Sequence, residues 1–343
     1  MLRSLFYFLG WILLVVPSCC QPVGYLTSKQ IIQMTQHPTL ANMQTLKKLM
    51  TRTPYNYRSR RKKSVYFAKS SAGEDHQAWI SDSEQSFQQA TVFACTGVTP
   101  YSDNAINILR AWPQENKAFT GPNALLEAAW GTASMSRAAL LLSRINAPGW
   151  IQEDVQRYVN WVHQRLNMLW TDKRAVSWDA ENRSFTNWQV SILEARLGIA
   201  LLTSNGTEVT WCVNQFKRII VNFIKPNGII GDTYRDSDHF QFSIGGLMQI
   251  AEMLYLQKID LYNYPDGRLA RMMEIHALIM NGVTPFGINR AQLHLKDWVL
   301  PCGWHLALRH FEGRKSWSLP QTRRTYKRVY WMYSFHWGLS DIA

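Results

Sequence analysis

Apolar residues recur at helical spacing along most of the 343-residue chain. After Ile151 they lie on one face of a single helix, at positions 155, 158, 159, 162, 166 and 169. A second face of this kind begins after Glu208 and runs to Phe223, and Pro226-Asn227-Gly228 ends it. The same spacing predicts further helices near 28–36, 40–50, 83–96, 101–112, 123–145, 188–203, 241–257 and 267–282.

Turn-forming pairs separate these segments, and no run of alternating apolar and polar residues predicts a strand. The breakers are Thr99-Pro100, Gly121-Pro122, Pro148-Gly149, Asn205-Gly206 and Pro265-Asp266-Gly267. About ten helices with short connections are expected to form antiparallel hairpins. We therefore predict an all-α fold, an incomplete α/α toroid of helix hairpins around a common axis. An irregular helical bundle fits the same pattern.

The first twenty residues have the pattern of a secretory signal. Arg3 precedes the apolar run Leu5–Val16, and Pro17-Ser18-Cys19-Cys20 follows it, so cleavage is expected near Cys20. An uncleaved anchor and a bacterial lipoprotein signal at Cys19 are the alternatives. The run is short for a membrane span, which predicts no stable membrane insertion. The mature protein is expected outside the cell, or in the periplasm of a bacterium.

This pattern divides the chain into three parts. Residues 1–20 form the predicted signal peptide, residues 21–79 an N-terminal segment with a basic loop, and residues 80–343 the main helical domain. The N-terminal segment is expected to pack on the main domain. The sequence predicts no oligomeric state.

The formal net charge of +13 predicts an acidic partner. Nucleic acid, anionic lipid and acidic polysaccharide all carry the required charge, and secretion favours the polysaccharide over nucleic acid. Fifteen tryptophans agree with this choice, because indole rings line clefts and stack on sugars. Packing between helices is the alternative role for any single tryptophan.

A secreted protein can form disulfide bonds and carry glycans. The mature chain keeps Cys95, Cys212 and Cys302, so at most one internal bridge forms. Their wide spacing argues against a zinc site. Asn182 and Asn205 begin the two glycan acceptor motifs, Asn-Arg-Ser and Asn-Gly-Thr, which predict a glycoprotein in a eukaryotic host.

Two segments concentrate positive charge. Residues 58–63 hold five basic side chains in six, and a solvated loop, a polyanion-binding edge and a dibasic processing site after Arg61 are three interpretations. The second segment lies near the C-terminus, where basic residues alternate with aromatic ones, a composition typical of a carbohydrate surface. Its basic members are Arg309, Arg314, Lys315, Arg323, Arg324, Lys327 and Arg328.

Polar side chains interrupt the helical pattern at two places, residues 186–189 and 234–241. These clusters contain the groups that β-elimination of a uronic acid polymer requires. A clamp must neutralise the sugar carboxylate, a base must remove the C5 proton, and an acid must protonate the leaving oxygen. Side chains can supply the clamp, so neither a metal nor a cofactor is expected.

Asn187 and Arg235 are candidates for the clamp, since an amide and a guanidinium both bind carboxylates. His239 is the candidate base, and Asp236 or Asp238 could orient its ring. Each has a structural alternative: Asn187 as a helix cap, Arg235 with Asp236 as an ion pair, and His239 as an ordinary residue of the first helical turn. Hydrolysis is the rival reaction, with carboxylates at Asp179, Glu181, Glu194, Asp232, Asp236 and Asp238.

The order of several motifs resembles the alginate lyase domain family over most of residues 80–343. The motifs are Phe93-Ala94-Cys95-Thr96-Gly97, residues 105–112, Thr186-Asn187-Trp188-Gln189, Asn227-Gly228, Tyr234-Arg235-Asp236 with His239, residues 244–252, Ile259-Asp260-Leu261-Tyr262, residues 281–286 and His336-Trp337-Gly338-Leu339. The family resemblance implies an α/α toroid that cleaves uronans by β-elimination. It assigns the catalytic places to Asn187, Arg235 and His239, and adds His310.

The late segment departs from the family pattern. His310 is present, but Leu308 and Phe311 stand where the resemblance predicts tyrosines, and neither can donate a proton. Tyr234 or Tyr262 could replace the missing acid, and a protein that binds uronans without cleaving them is the alternative. The predicted substrate-binding residues are Trp188, Gln241, Tyr234, Arg309 and Arg314.

Overall fold

The computed structural model describes residues 43, 46–47, 49–69, 73–176, 186–289, 292–295, 304, 306–307 and 310–311. The predicted signal peptide, Asn182, Cys302, Arg309 and Arg314 lie outside them. So do the predicted helix at 28–36 and the C-terminal basic segment from residue 312 onward.

Ten α-helices follow one another in this described part of the chain. They are α1 (Glu74–Thr96), α2 (Thr99–Glu115), α3 (Ala124–Arg144), α4 (Gln152–Arg165), α5 (Met168–Thr171), α6 (Lys173–Val176), α7 (Asn187–Leu202), α8 (Gly206–Phe223), α9 (Ser237–Leu256) and α10 (Arg268–Met280). Short 3₁₀ turns lie at Gly231–Tyr234 and Pro285–Gly287. The apolar spacing therefore located eight of these helices and missed the two single-turn ones. Most predicted ends differ by a few residues, but α1 begins nine residues before its predicted start at residue 83.

Three long helices form the inner layer of the fold. Helix α3 is buried on every side from Ala124 to Leu142, and α7 and α9 are nearly as enclosed. Helix α3 packs between α1 and α7, and α7 packs against α9. A helix that is apolar all round belongs inside a layered structure.

The outer helices have one buried face. Helix α4 buries Val155, Tyr158, Val159 and Val162 and contacts α2, while α8 buries Phe216, Ile219 and Ile220 and contacts α7. Inner helices that are covered by amphipathic outer helices make the α/α toroid that the sequence predicted.

A buried polar network joins the three inner helices. Arg137 of α3 donates from Nη1 to Oε1 of Glu194 on α7, and also to Oε1 of Gln249 on α9 at 2.6 Å. Close approach of α7 and α9 depends on Gly246, where an added Cβ would lie 2.6 Å from Cγ1 of Val190. The network and the close contact hold the first half of α7 against the middle of α9.

Two three-residue strands were not predicted. Strand β1 (Ser64–Tyr66) pairs in parallel with β2 (Ala118–Thr120), with Val65 opposite Phe119. Each strand is too short to show an alternating pattern. The pairing ties the segment before α1 to the end of α2, and Val65 and Phe67 are part of the core.

Other sequence features can be placed on this fold. Cys95 of α1 and Cys212 of α8 are buried, and burial raises the pKa of the Cys95 thiol to about 12. Asn205 is exposed and caps α8, with Oδ1 accepting from the backbone N–H of Glu208 at 3.1 Å. Within the described residues, no helix has the length and apolar character to cross a membrane.

Candidate active site

The first wall of the candidate site is the N-terminus of α7. Thr186 caps this helix, because its Oγ1 accepts from the backbone N–H of Trp188 at 3.3 Å. Gln189 completes a capping box by accepting from the backbone N–H of Thr186 at 2.9 Å. The alternative role of Asn187 as the cap is therefore wrong, since Asn187 is the first residue inside the helix.

The Asn187 side chain is buried but incompletely paired. It is 4% exposed, and its Oδ1 has no hydrogen-bond partner among the described residues. A buried amide group without a partner costs roughly 1–3 kcal/mol. Rotation of the amide by 180° exchanges Oδ1 and Nδ2, so the same position can present an N–H donor. A bound ligand is one source of the missing partner.

Asp232 connects this helix end to α9. Its Oδ2 accepts from the backbone N–H of Asn187 at 3.0 Å and from Oγ of Ser243 at 2.7 Å. Burial raises the pKa of Asp232 above its ordinary value, against the opposing hydrogen bonds from Ser243 and Asn187 and the charges of His239 and Arg235. Ser243 lies one helical turn after His239 on α9. Asp232 therefore brings the α7 end and the His239 turn to one place.

His239 is held by Asp236, which is the N-cap of α9. Asp236 Oδ1 accepts from the backbone N–H of His239 at 2.8 Å, and both carboxylate oxygens lie 2.7 Å from Nδ1 of the ring. A carboxylate can only accept, so Nδ1 carries the proton of the neutral ring and Nε2 keeps its lone pair. The His239 side chain is 27% exposed, which leaves the ring accessible to a substrate.

The pKa of Asp236 is lowered from its ordinary value. Burial is the largest single influence and acts to raise it, but the hydrogen bonds from the His239 backbone and ring, with the charges of His239 and Arg235, together outweigh burial. The lowered pKa keeps Asp236 ionised at neutral pH. An ionised Asp236 keeps the ring in the orientation that a base needs.

Tyr234 and Arg235 lie on the solvent side of this cluster. Tyr234 ends the 3₁₀ turn that contains Asp232 and is 45% exposed, and Arg235 follows it with an exposed side chain. The Arg235 guanidinium acts electrostatically on both Asp232 and Asp236, which places it near the two carboxylates. A phenol and a guanidinium therefore stand on the two exposed residues that directly precede Asp236, the partner of His239.

Gln241 and Trp188 occupy less open positions. Gln241 is buried at 2% exposure within α9. Trp188 is partly buried, and the Arg174 guanidinium carbon lies 4.7 Å from its ring centroid, so an arginine occupies one face of the indole. Arg174 is itself paired with Asp172.

His310 lies in a different cluster. Its Nε2 is 2.7 Å from Oε2 of Glu252, and its ring stacks on Tyr262 with centroids 3.8 Å apart. Tyr262 also donates its hydroxyl to Oε2 of Glu252, at 2.7 Å. Glu252 follows His239 by thirteen residues on α9, which is about 20 Å along a helix axis. The structure therefore does not bring His310 or Tyr262 to His239.

Three of the carboxylates considered for hydrolysis are engaged, and Asp179 and Glu181 lie outside the described residues. Asp232 accepts from the α7 end, Asp236 holds His239, and Glu194 is paired with buried Arg137. The connecting roles of Asp232 and Ser243 were missed in the sequence, where Asp232 counted only as a hydrolytic carboxylate. His239 and Ser243 are four residues apart on one helix, and this spacing could have indicated that both side chains lie on the same face. Across the described ranges, no group of three or more His, Cys, Asp and Glu side chains is arranged to hold a metal ion.

The sequence model of the family described as Alginate lyase matches residues 27–285. No curated protein shows significant sequence similarity to the chain.

Solved structures with the same fold include an alginate lyase from Bacteroides ovatus, with 11% identity, a TM-score of 0.64, and 86% of this chain and 93% of that chain covered. Alginate lyase A1-III from Sphingomonas species A1 has 13% identity and a TM-score of 0.56, covering 94% of this chain and 88% of that chain. A variant of alginate lyase A1-III complexed with tetrasaccharide has 14% identity and a TM-score of 0.58, covering 74% and 76%. The structural likeness shows the α/α toroid fold, and the match over three quarters of the sequence shows that the chain belongs to the alginate lyase family of polysaccharide lyases.

Proposed function

We propose that this protein cleaves a uronic-acid polysaccharide such as alginate by β-elimination, with His239 as the base. The observation that carries the proposal is the His239–Asp236 pair beside Asn187. Asp236 fixes the proton on Nδ1, so the exposed ring offers Nε2 as a proton acceptor. Membership of the alginate lyase family supports the substrate class.

The first step requires a neutralised carboxylate. Asn187 offers an amide at a buried position with an unfilled hydrogen bond, and Arg235 offers a guanidinium from the solvent side. Together they would hold the sugar carboxylate and stabilise the charge that develops when the C5 proton leaves. Nε2 of His239 accepts that proton, and the electron pair of the C5–H bond moves into the neutralised carboxylate as an enolate. This pair forms the C4–C5 double bond only as the C4–O4 bond breaks.

The second step breaks the C4–O4 bond, whose electrons leave with the glycosidic oxygen. That oxygen needs a proton, and we assign the acid to Tyr234. Tyr262 is the rival, but its hydroxyl donates to Glu252 about 20 Å along α9 from His239. Tyr234 lies on the turn that carries Asp232 and is exposed.

The site of action is also part of the proposal. The basic start and apolar run of residues 1–20 support secretion, and the +13 net charge suits an acidic polymer outside the cell. Accessible Asn205 supports a glycan there in a eukaryotic host.

A panel of uronans tests the reaction. We expect the protein to generate the ultraviolet absorbance of an unsaturated sugar end on at least one polymer. His239→Ala should remove this signal. His163→Ala is the matched control, because His163 is an exposed histidine whose ring contacts Trp170, with centroids 4.5 Å apart, in another part of the fold. Absence of the signal across the panel would contradict the proposal.

A binder without catalysis is the second candidate function. It is favoured by the position of Tyr262, which is held by Glu252, and by Leu308 and Phe311 at the expected tyrosine places. This candidate predicts uronan binding by both the unsubstituted protein and His239→Ala, with no turnover by either. The panel therefore separates the two functions.

A further inference from the structure

A cavity lies apart from the proposed active site, between the end of α2 and the exposed face of α4. Its volume is about 470 Å³, within the range of small-ligand pockets. It is lined from α4 by Arg157, Trp161 and Arg165, and from the α2–β2 connection by Asn116 and Lys117. None of its lining residues belongs to the His239 cluster.

The charge of this cavity is predominantly positive. Lys117, Arg157 and Arg165 contribute three exposed cations, against the single carboxylate of Glu153. Arg157 lies 3.4 Å from Asp154, but Asp154 is held at shorter range by Arg110, at 2.8 Å through Nε. The Arg157 guanidinium is half-exposed and stays available to an anion.

Amide side chains fill the space between the cations. Gln156, Asn160 and Gln164 line the cavity from successive turns of α4 and are exposed. Amides offer both donors and acceptors, which is what the hydroxyls of a sugar need. Gln156 donates from Nε2 to Oδ1 of Asn160 at 2.8 Å, and the other donors and acceptors of these amides would face a ligand in the cavity.

Trp161 forms the back of the cavity. It is 4% exposed and packs edge-on against Trp79 and Phe119, with centroids 6.2 and 6.1 Å away. Its indole Nε1 has no partner among the described residues, and the same is true of Oδ1 of buried Asn116. Two unfilled polar atoms among the residues that line one cavity are unusual for a protein interior. A polar ligand bound in the cavity is one source of partners for them.

The basic run at residues 58–63 adjoins this cavity. The Lys63 carbonyl accepts from the backbone N–H of Lys117 at 2.7 Å, and the Lys62 carbonyl accepts from Nδ2 of Asn116 at 3.1 Å. Asp82 anchors the same run, accepting from Ser59 Oγ at 2.6 Å. The exposed basic side chains of the run are Arg58, Arg60, Arg61 and Lys63. They extend the positive surface beyond the cavity.

We propose that this cavity is a second, non-catalytic site that binds a short segment of an acidic polysaccharide. The inference rests on the proposed function for the identity of the saccharide as a uronan. Positive charge would bind the carboxylates, and the amides would bind the hydroxyls. Single-stranded nucleic acid fits less well, because its bases stack on exposed aromatic faces and Trp161 is buried. Such a site would hold a long polymer on the enzyme between cleavage events.

The test is a titration of the full chain carrying His239→Ala, so that the probe is not consumed. The probe is a trisaccharide of uronic acid, and the readout is the indole N–H resonance of Trp161 in protein labelled with ¹⁵N-tryptophan, assigned with Trp161→Phe. We expect a saturable shift. The pair Arg157→Ala with Arg165→Ala should weaken binding by about tenfold or more, and the pair Arg144→Ala with Lys225→Ala removes the same charge elsewhere and should not.

Two results would overturn the inference. One is a Trp161 resonance that does not move with the trisaccharide. The other is an equal shift with a neutral trisaccharide or with sulfate at matched ionic strength, which would show a site without selectivity for acidic sugars. The Arg157 and Arg165 variants should still cleave short uronans. If the unsubstituted protein cleaves uronans but the Trp161 resonance does not shift, only the second binding site is rejected. If the resonance shifts but no uronan is cleaved, only the proposed function is rejected.

Discussion

Asp236 holds His239 twice, accepting one hydrogen bond from its backbone N–H and one from its ring Nδ1. The first bond caps α9 and the second sets the tautomer of the ring. Helix start and candidate base are thus positioned by one carboxylate. The three-residue spacing of Asp236 and His239 produces this arrangement, because an N-cap side chain normally accepts from the backbone N–H three residues later.

Replacing Asp236 separates these two roles. Asp236→Asn should keep the cap, since asparagine is an equally good N-cap, but should lose the charge that orients the ring. We expect turnover to fall by about 100-fold or more, by analogy with other histidine–carboxylate pairs, with little change in the melting temperature. Asp236→Ala should also lose about 1 kcal/mol of unfolding free energy. Equal turnover by Asp236→Asn and the unsubstituted protein would show that the carboxylate does not orient the base.

Asn187 tests the clamp. Asn187→Ala removes the amide but leaves the backbone N–H that binds Asp232. We expect a fall in kcat/KM of about 10- to 1000-fold, because the lost donor stabilises charge that develops in the reaction. Gln189→Ala is the control, since it removes the capping box of the same helix without touching the clamp. A larger loss of turnover in Gln189→Ala than in Asn187→Ala would contradict the assignment.

Substitution of Tyr234 should affect turnover, whereas substitution of Tyr262 should affect stability. Tyr234→Phe should abolish most turnover while uronan binding and the melting temperature stay near their original values. Tyr262→Phe removes a donor from the buried carboxylate of Glu252, so the unfolding free energy should fall by about 1–3 kcal/mol. Its effect on turnover should be small below the melting transition. Kinetic and thermal measurements on both variants check this, and the reverse pattern would assign the acid to Tyr262.

Buried His276 predicts a pH dependence of stability. Its Nδ1 donates to the Met272 carbonyl and its Nε2 lies 2.9 Å from Oγ1 of Thr233, next to Asp232 on the 3₁₀ turn. Burial lowers the pKa of His276 from 6.5 to about 4. The unfolded chain therefore binds the proton first as pH falls.

This stabilising effect of neutral His276 is complete above pH 6.5 and declines as pH falls toward 4, by roughly 3 kcal/mol in total. Denaturant unfolding at pH 7 and pH 5 measures it. We expect His276→Gln to lose stability at pH 7 and to show a smaller difference between the two pH values. An unchanged difference in this variant would show that other groups cause the pH dependence.

Much of the fold was predictable because the buried helices repeat apolar residues at helical spacing. The candidate base was also predictable, since a polar cluster at 234–241 precedes the apolar run of α9. The connection through Asp232 was not, because it joins residues 45 positions apart in the chain. Motif order likewise grouped His310 with His239, although His310 contacts Glu252, thirteen residues further along α9. The order of motifs in a sequence does not show how far apart their residues lie in space. In this fold the packing of α7 against α9 determines those distances.

The ratio of unsaturated ends to new reducing ends, measured on one cleaved uronan, tests the central claim most directly. β-Elimination by His239 predicts one C4–C5 double bond for each bond broken, and no new ends of either kind with His239→Ala. New reducing ends without double bonds would demonstrate hydrolysis and contradict the account. Unchanged turnover in His239→Ala would contradict the role of His239 as the base.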